Sequence, residues 1–114
     1  MPEKRWKFAE REIARRLGGQ RLPVSGRGRG DQPDIAHPLL SVECKHRATL
    51  PGWLAEAVAQ ATASATGDRV PVAVLHEHGT PYAGCPCVLR LDDLARLLAR
   101  ADDDPRAPPG VQQE

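Results

Sequence analysis

No long apolar run, no asparagine and only three cysteines occur in these 114 residues, and the first and last of these shortages each remove a class of protein. The longest apolar stretches fall far short of the ~20 residues a membrane-spanning helix needs. Nothing at the start reads as a signal peptide, so the expected location is the cytoplasm, with no membrane partner. The cysteines, at 44, 85 and 87, are odd in number and lack the spacing of a small disulfide-stapled domain, which also points to a reducing compartment. The missing asparagine goes with thirteen Arg against three Lys, a bias of GC-rich or heat-adapted genomes. No internal repeat is visible, and the length allows one domain with one core.

What is present is unevenly charged. The formal charge is +1, yet residues 1–50 hold eleven Lys/Arg against six Asp/Glu, and residues 51–114 hold five against nine. Much of the acidic excess lies from Asp102 onward. A cationic half that also contains a few closely spaced carboxylates suits a metal-dependent enzyme acting on a polyanion.

Periodicity and punctuation predict the order α-β-β-β-α-β-β-α. Residues 4–17 read as a helix closed by Gly18-Gly19. At ~100° per residue, Trp6, Ala9, Ile13 and Leu17 share an apolar stripe. Glu10 projects into the edge of that stripe and Glu12 away from it; a buried carboxylate is costly unless a cation meets it. The outer face carries Lys7, Arg11 and Arg15 around Phe8. Strands are expected at 21–25, 33–37 and 39–46, the last two forming a hairpin that turns at His37-Pro38. A helix over 52–65, opened by Pro51-Gly52, should bury Leu54, Val58, Ala61 and Ala65. Strands at 70–75 and 87–90 flank a turn at 79–84. A last helix, capped by Asp92, should bury Leu94, Leu97, Leu98 and Ala101. Residues 1–101 then form the domain and 102–114 a disordered acidic, Pro-rich tail. The fold class expected from this order is α/β, three layers with a central mixed sheet flanked by helices.

The chemistry concentrates at Pro33-Asp34-Ile35 and Val42-Glu43-Cys44-Lys45. Strand side chains alternate, so Glu43 and Lys45 share one face while Leu40, Val42 and Cys44 take the other. In the hairpin Asp34 faces Ser41 or Glu43, depending on register, and facing Cβ atoms lie about 4.5–5.5 Å apart. Two hard carboxylates that close suit Mg²⁺ or Mn²⁺, and a neighbouring lysine can orient water or neutralise a phosphate oxygen. The residues outline a phosphodiester-cleaving site. Alternatively, Glu43 and Lys45 are an exposed charge pair on an edge strand. A competing metal set is His76, His78, Cys85 and Cys87, which a hairpin could bring onto one face to hold Zn²⁺. The loop at 26–30, with Arg27 and Arg29 among glycines, reads as a phosphate-gripping arm or as a solvated basic linker. Gln60 is taken as a helix-surface residue and Trp53 as a core or interface residue.

Ala9-Glu10-Arg11-Glu12, the Ser/Gly/Arg loop, Pro33-Asp34-Ile35 and Val42-Glu43-Cys44-Lys45 together resemble the PD-(D/E)xK nuclease superfamily. Order and spacing look most like archaeal-type Holliday junction resolvases and their short phage-encoded relatives, in which case the compartment would be a host cytoplasm. The resemblance covers residues 5–47 best. It implies a restriction-endonuclease-like three-layer fold and a Mg²⁺-dependent endodeoxyribonuclease, with Mn²⁺ able to substitute. Glu10, Asp34, Glu43 and Lys45 would be catalytic. Asp34, Glu43 and the Cys44 backbone carbonyl would be metal ligands, joined by Glu10 directly or through water. Arg11, Ser25, Arg27, Arg29 and Arg47 would contact DNA. It further implies a homodimer that cuts branched, four-way DNA symmetrically. The alternatives are a nicking, flap or repair nuclease of the same chemistry, and a DNA-binding module without catalysis.

Overall fold

Helix α1 (Arg5–Leu17) opens the computed structural model, which describes residues 5–22 and 33–103. Arg15 and Arg16 lie in its last turn, where the helix dipole favours cations. The helix stops at Gly18, whose φ of 77° is a left-handed conformation that glycine takes without a Cβ penalty. The Gly19 N–H then donates to the Ala14 carbonyl at 2.9 Å. His37 closes the end from outside: its Nε2 lies 3.0 Å from the Leu17 carbonyl while its Nδ1 accepts the Leu39 N–H at 3.0 Å. That pattern fits the Nε2–H tautomer.

Strand β1 (Gln20–Arg21) pairs antiparallel with β2 (Ile35–Ala36), Gln20 opposite Ala36 and Arg21 opposite Ile35. The remainder of the strand expected over 21–25, and the loop with Ser25, Arg27 and Arg29, lie outside the described residues. Ile35 is fully buried and, with Ala14 and Leu17, forms the tightest part of the core. Gly19 is where helix and sheet come closest. A Cβ there would stand 2.9 Å from Ile35 Cγ2 and inside the contact radius of the Ala36 carbonyl oxygen. Gly19→Ala is therefore expected to cost roughly 1–3 kcal/mol by overpacking, read as a drop in Tm, whereas Gly52→Ala, where nothing lies near, should not.

The expected strand at 39–46 is reduced to one antiparallel bridge, Ile35 to Val42. Its side chains nevertheless alternate as expected: positions 40, 42 and 44 are half-buried, and 41, 43 and 45 are exposed. The ladder stops because the Cys44 N–H donates to the Asp34 side chain, Oδ2, at 2.6 Å. A short carboxylate has taken a donor that the sheet would otherwise use.

Helix α2 (Gly52–Ser64) follows Pro51 as expected, and Leu54, Val58, Ala61 and Ala65 do lie on its more covered side. None of its residues is fully buried, however, and Trp53 is exposed rather than in the core. Strands β3 (Ala73–Val74) and β4 (Cys87–Val88) form a second hairpin, with a 3₁₀ turn at Tyr82–Gly84 between them. Both are shorter than expected. Pro71 and Pro86 sit at their ends and have no N–H to give a ladder. The strands thus form two separate two-stranded antiparallel sheets, and the expected single central mixed sheet is not seen among the described residues. The architecture is mixed α/β, three helices with two small antiparallel sheets.

Helix α3 (Leu91–Asp103) packs against α1 and runs two residues into the expected tail. Asp92 does not cap it. The first-turn N–H groups of Asp93 and Leu94 go to the Arg90 carbonyl, both at 3.0 Å, and the Asp92 carboxylate instead receives Arg16 Nη1 at 3.0 and 2.9 Å. Asp93 is buried and accepts Arg90 Nε at 2.8 Å and Arg96 Nη2 at 2.9 Å. Leu97, expected inside, is exposed. No described helix is long and apolar enough to cross a membrane.

These ion pairs set an acid limit. Arg90, hydrogen-bonded to Asp93 and helped by the nearby charge of Arg96, holds its carboxyl below the usual 3.8; Arg15, with Arg16, does the same for Glu12 below the usual 4.5. Fewer protons are bound folded than unfolded, so this stabilisation is complete above the ordinary values and is lost as pH falls through the lowered ones. Melting scans should give a steady Tm from pH 7 to about 5 and a falling one below about 4. Asp93→Asn should flatten that fall.

Candidate active site where helix α1 meets the first hairpin

A cleft of about 200 Å³ opens between α1 and the segment after Val42, lined by Glu10, Cys44, Lys45 and His46, with Trp6 and Ile13 as its apolar wall. Two chain segments thirty-four residues apart thus place a helix carboxylate beside the strand lysine. The helix phase explains the first. Glu10, Ala14 and Leu17 are the most buried line on α1, and Trp6 and Ile13 flank it. Glu10 is therefore in the middle of the covered face rather than at its edge, with only 6% of its surface exposed.

A cation does meet it. Arg21 Nε donates to Glu10 Oε1 at 2.8 Å, and both side chains are largely buried. The guanidinium also lies 5.5 Å from the centre of the Trp6 ring, on which Lys7 Nζ sits at 5.6 Å. Glu12 points outward and is bound by Arg15 and Arg16. Sequence reasoning separated the two glutamates correctly and missed Arg21, read there only as the start of a strand. The signal was the buried carboxylate itself, which demanded a partner one turn beyond the helix end.

Asp34 is buried behind the cleft, 5% exposed, its backbone N–H donating to the Val42 carbonyl at 2.8 Å and its Oδ2 accepting the Cys44 N–H. The Ile35–Val42 bridge, carried one residue further, sets Asp34 opposite Glu43 rather than Ser41. Glu43 and Lys45 share the solvent face, Oε2 to Nζ 4.0 Å. Arg47 is exposed beyond them. Arg11 lies not in this cleft but in the next groove, with Phe8, Arg15 and Arg21.

Among the described residues no three His, Cys, Asp or Glu side chains are grouped so as to hold a metal. What the hairpin offers is two carboxylate positions and the Cys44 carbonyl. These are oxygen donors of the type Mg²⁺ takes, an ion that keeps several waters and uses only one or two protein carboxylates. The zinc alternative is not assembled. The second hairpin forms, but His76 stacks on Tyr82, ring centres 4.5 Å apart, with its Nε2 2.9 Å from the Thr80 carbonyl. Cys87 Sγ lies 3.9 Å from the Cys85 carbonyl. Compared with protein-family models, curated proteins and solved structures, the chain matches none of them.

Proposed function

We propose that this chain is a metal-dependent endodeoxyribonuclease of the PD-(D/E)xK type, a variant of the three-layer restriction-endonuclease-like architecture, acting on branched DNA and four-way junctions in particular. The observation that supports it most is the meeting of Glu10, Cys44 and Lys45 in one cleft with Asp34 directly behind. Of the four residues in the predicted catalytic set, Glu10 and Lys45 line this cleft, Asp34 is linked to it through the Cys44 N–H, and Glu43 lies on the solvent face with Lys45.

Asp34, Glu43 and the Cys44 carbonyl would hold Mg²⁺, or Mn²⁺ in its place, with Glu10 reaching it through water. When bound, the ion supplies a Lewis acid and lowers the pKa of an attacking water. Lys45 orients that water or stabilises charge developing on the phosphate. Arg11 and Arg47 contact backbone phosphates, as do Ser25, Arg27 and Arg29 outside the described residues. Contacts of this kind read shape rather than sequence and weaken with salt. Two symmetric cuts in a junction call for a homodimer.

The test is incubation of a supercoiled plasmid and a synthetic four-way junction with the protein in Mg²⁺ or in EDTA. Paired cuts in the junction, dependent on Mg²⁺, are the expected result. Cutting of the plasmid alone would leave a nuclease of another substrate. Binding without cutting would leave a DNA-binding module.

A further inference from the structure

We infer that the groove between the second hairpin and α3 is a docking site for an acidic, apolar segment of a partner protein. Register decides its floor. Val74 stands opposite Cys87 and Ala73 opposite Val88, so one residue further Val72 meets Leu89. Side chains alternate along the strands, and the two faces are unequally covered. Pro71, Ala73 and Leu75 are buried or half-buried, whereas Val72, Val74 and Cys87 are exposed. Leu94 and Leu97 of α3 stand beside the open face and line a groove of about 540 Å³ with Val72 and Leu89. Val72 and Leu97 are each 45% exposed there. Leu97 belongs to the apolar stripe of its helix, yet no described residue completes its burial.

Charge selects the occupant. Arg69 stands on the hairpin wall and Arg100 on the helix wall, and no described acid lines the groove. Neither guanidinium has a carboxylate partner among the described residues. Acids are nevertheless near both: Asp68 adjoins Arg69, and Asp103 follows Arg100 by three positions, a spacing that allows ion pairs on a helix. The other arginines of this region, Arg90 and Arg96, are both taken by Asp93. Arg69 is braced through Nη1 on the Thr66 hydroxyl and carbonyl, at 2.9 and 3.3 Å, so most of its five donors stay open. Two uncompensated cations flanking an apolar floor match a segment with apolar side chains between carboxylates. Nucleic acid fits worse, because no described aromatic ring lines the groove for a base to stack on. An acyl chain has its one carboxylate at one end and cannot answer cations on both walls.

This inference is independent of the nuclease reading, and its test needs neither metal nor DNA. Fluorescence anisotropy at low salt would follow labelled peptides carrying one, two or three leucines between pairs of aspartates, mixed with the full chain. Control peptides replace the aspartates by lysines or the leucines by serines. The expected result is saturable binding of at least one acidic, leucine-bearing peptide and of neither control. Arg69→Ala combined with Arg100→Ala should weaken it about 2- to 30-fold, the loss of two exposed ion pairs of ordinary strength. Leu97→Ser should weaken it as well. All three positions are exposed, so melting scans in parallel should show little change in Tm. Failure of every acidic peptide to bind, equal binding by the lysine peptides, or binding that the arginine and leucine variants leave unaltered would each overturn the proposal. Tighter binding by a peptide of residues 104–114 than by any probe would overturn it in favour of this chain's own residues. A dimer that Leu97→Ser dissociates, seen by sedimentation without peptide, would overturn it in favour of a second copy.

Discussion

Asp34→Asn should abolish cutting while leaving the protein folded. The carboxylate oxygen that accepts the Cys44 N–H at 2.6 Å has a counterpart in the asparagine amide oxygen, so the link that ends the hairpin ladder survives. What disappears is the negative charge that a divalent ion requires. Asp34→Ala is the contrasting variant: it removes the acceptor as well, and should cost about 1–3 kcal/mol in stability. Glu43 and Lys45 are 61% and 71% exposed at the side chain, so Glu43→Gln and Lys45→Ala should not move Tm. Lys45→Ala should still lower the cleavage rate by about 10²–10³, the usual loss when one charge-stabilising donor is removed. Because these groups act as one unit, pairing two such changes should cost little more than the worse of them. Glu12→Ala, which breaks only outward pairs, is the active control. Junction cleavage in Mg²⁺, with melting scans in parallel, measures all of these. A full cleavage rate for Asp34→Asn would end the nuclease reading.

Much of this site could be read without coordinates because it rests on phase. A period of 3.6 decided that Glu10 turns inward and Glu12 outward, and a period of two put Glu43 and Lys45 on one face, half-buried neighbours on the other. The turn at His37-Pro38 limited the register to two choices, and the Ile35–Val42 bridge selects the one that faces Asp34 with Glu43. What failed was whatever depended on competition between groups. The hairpin was expected to run to residue 46, but a side chain of its own outbid the ladder for the Cys44 N–H. Asp92 has the composition of a helix cap, yet Arg16 on a neighbouring helix offers it two charge-assisted bonds instead. Pro71 and Pro86 were visible, but not how far they would shorten β3 and β4. The partner of Glu10 lay eleven residues away and across a helix end, where no local period reaches.

That partner carries the largest stability effect expected in the molecule. With Arg21 changed to Met, the aliphatic bulk over Trp6 remains, but Glu10 keeps a charge in a site only 6% exposed. Removing one member of a buried pair costs about 3–5 kcal/mol, because the survivor is left desolvated and uncompensated. For a domain of this size that is on the order of 15 °C in Tm. Changing both residues, Glu10→Gln with Arg21→Met, removes the stranded charge, so the double variant should be more stable than Arg21→Met alone. The same stranded carboxylate reports on the metal. If Glu10 faces a bound divalent ion through water, Mg²⁺ replaces part of what the guanidinium supplied, and its binding to the folded state should raise Tm further in Arg21→Met than in the unaltered chain. The added Glu10→Gln change should cancel that extra rise. Equal Mg²⁺ shifts in all of these proteins would detach Glu10 from the metal site and leave its pairing with Arg21 as a purely structural contact. An Arg21→Met protein as stable as the parent would show instead that water already screens the pair.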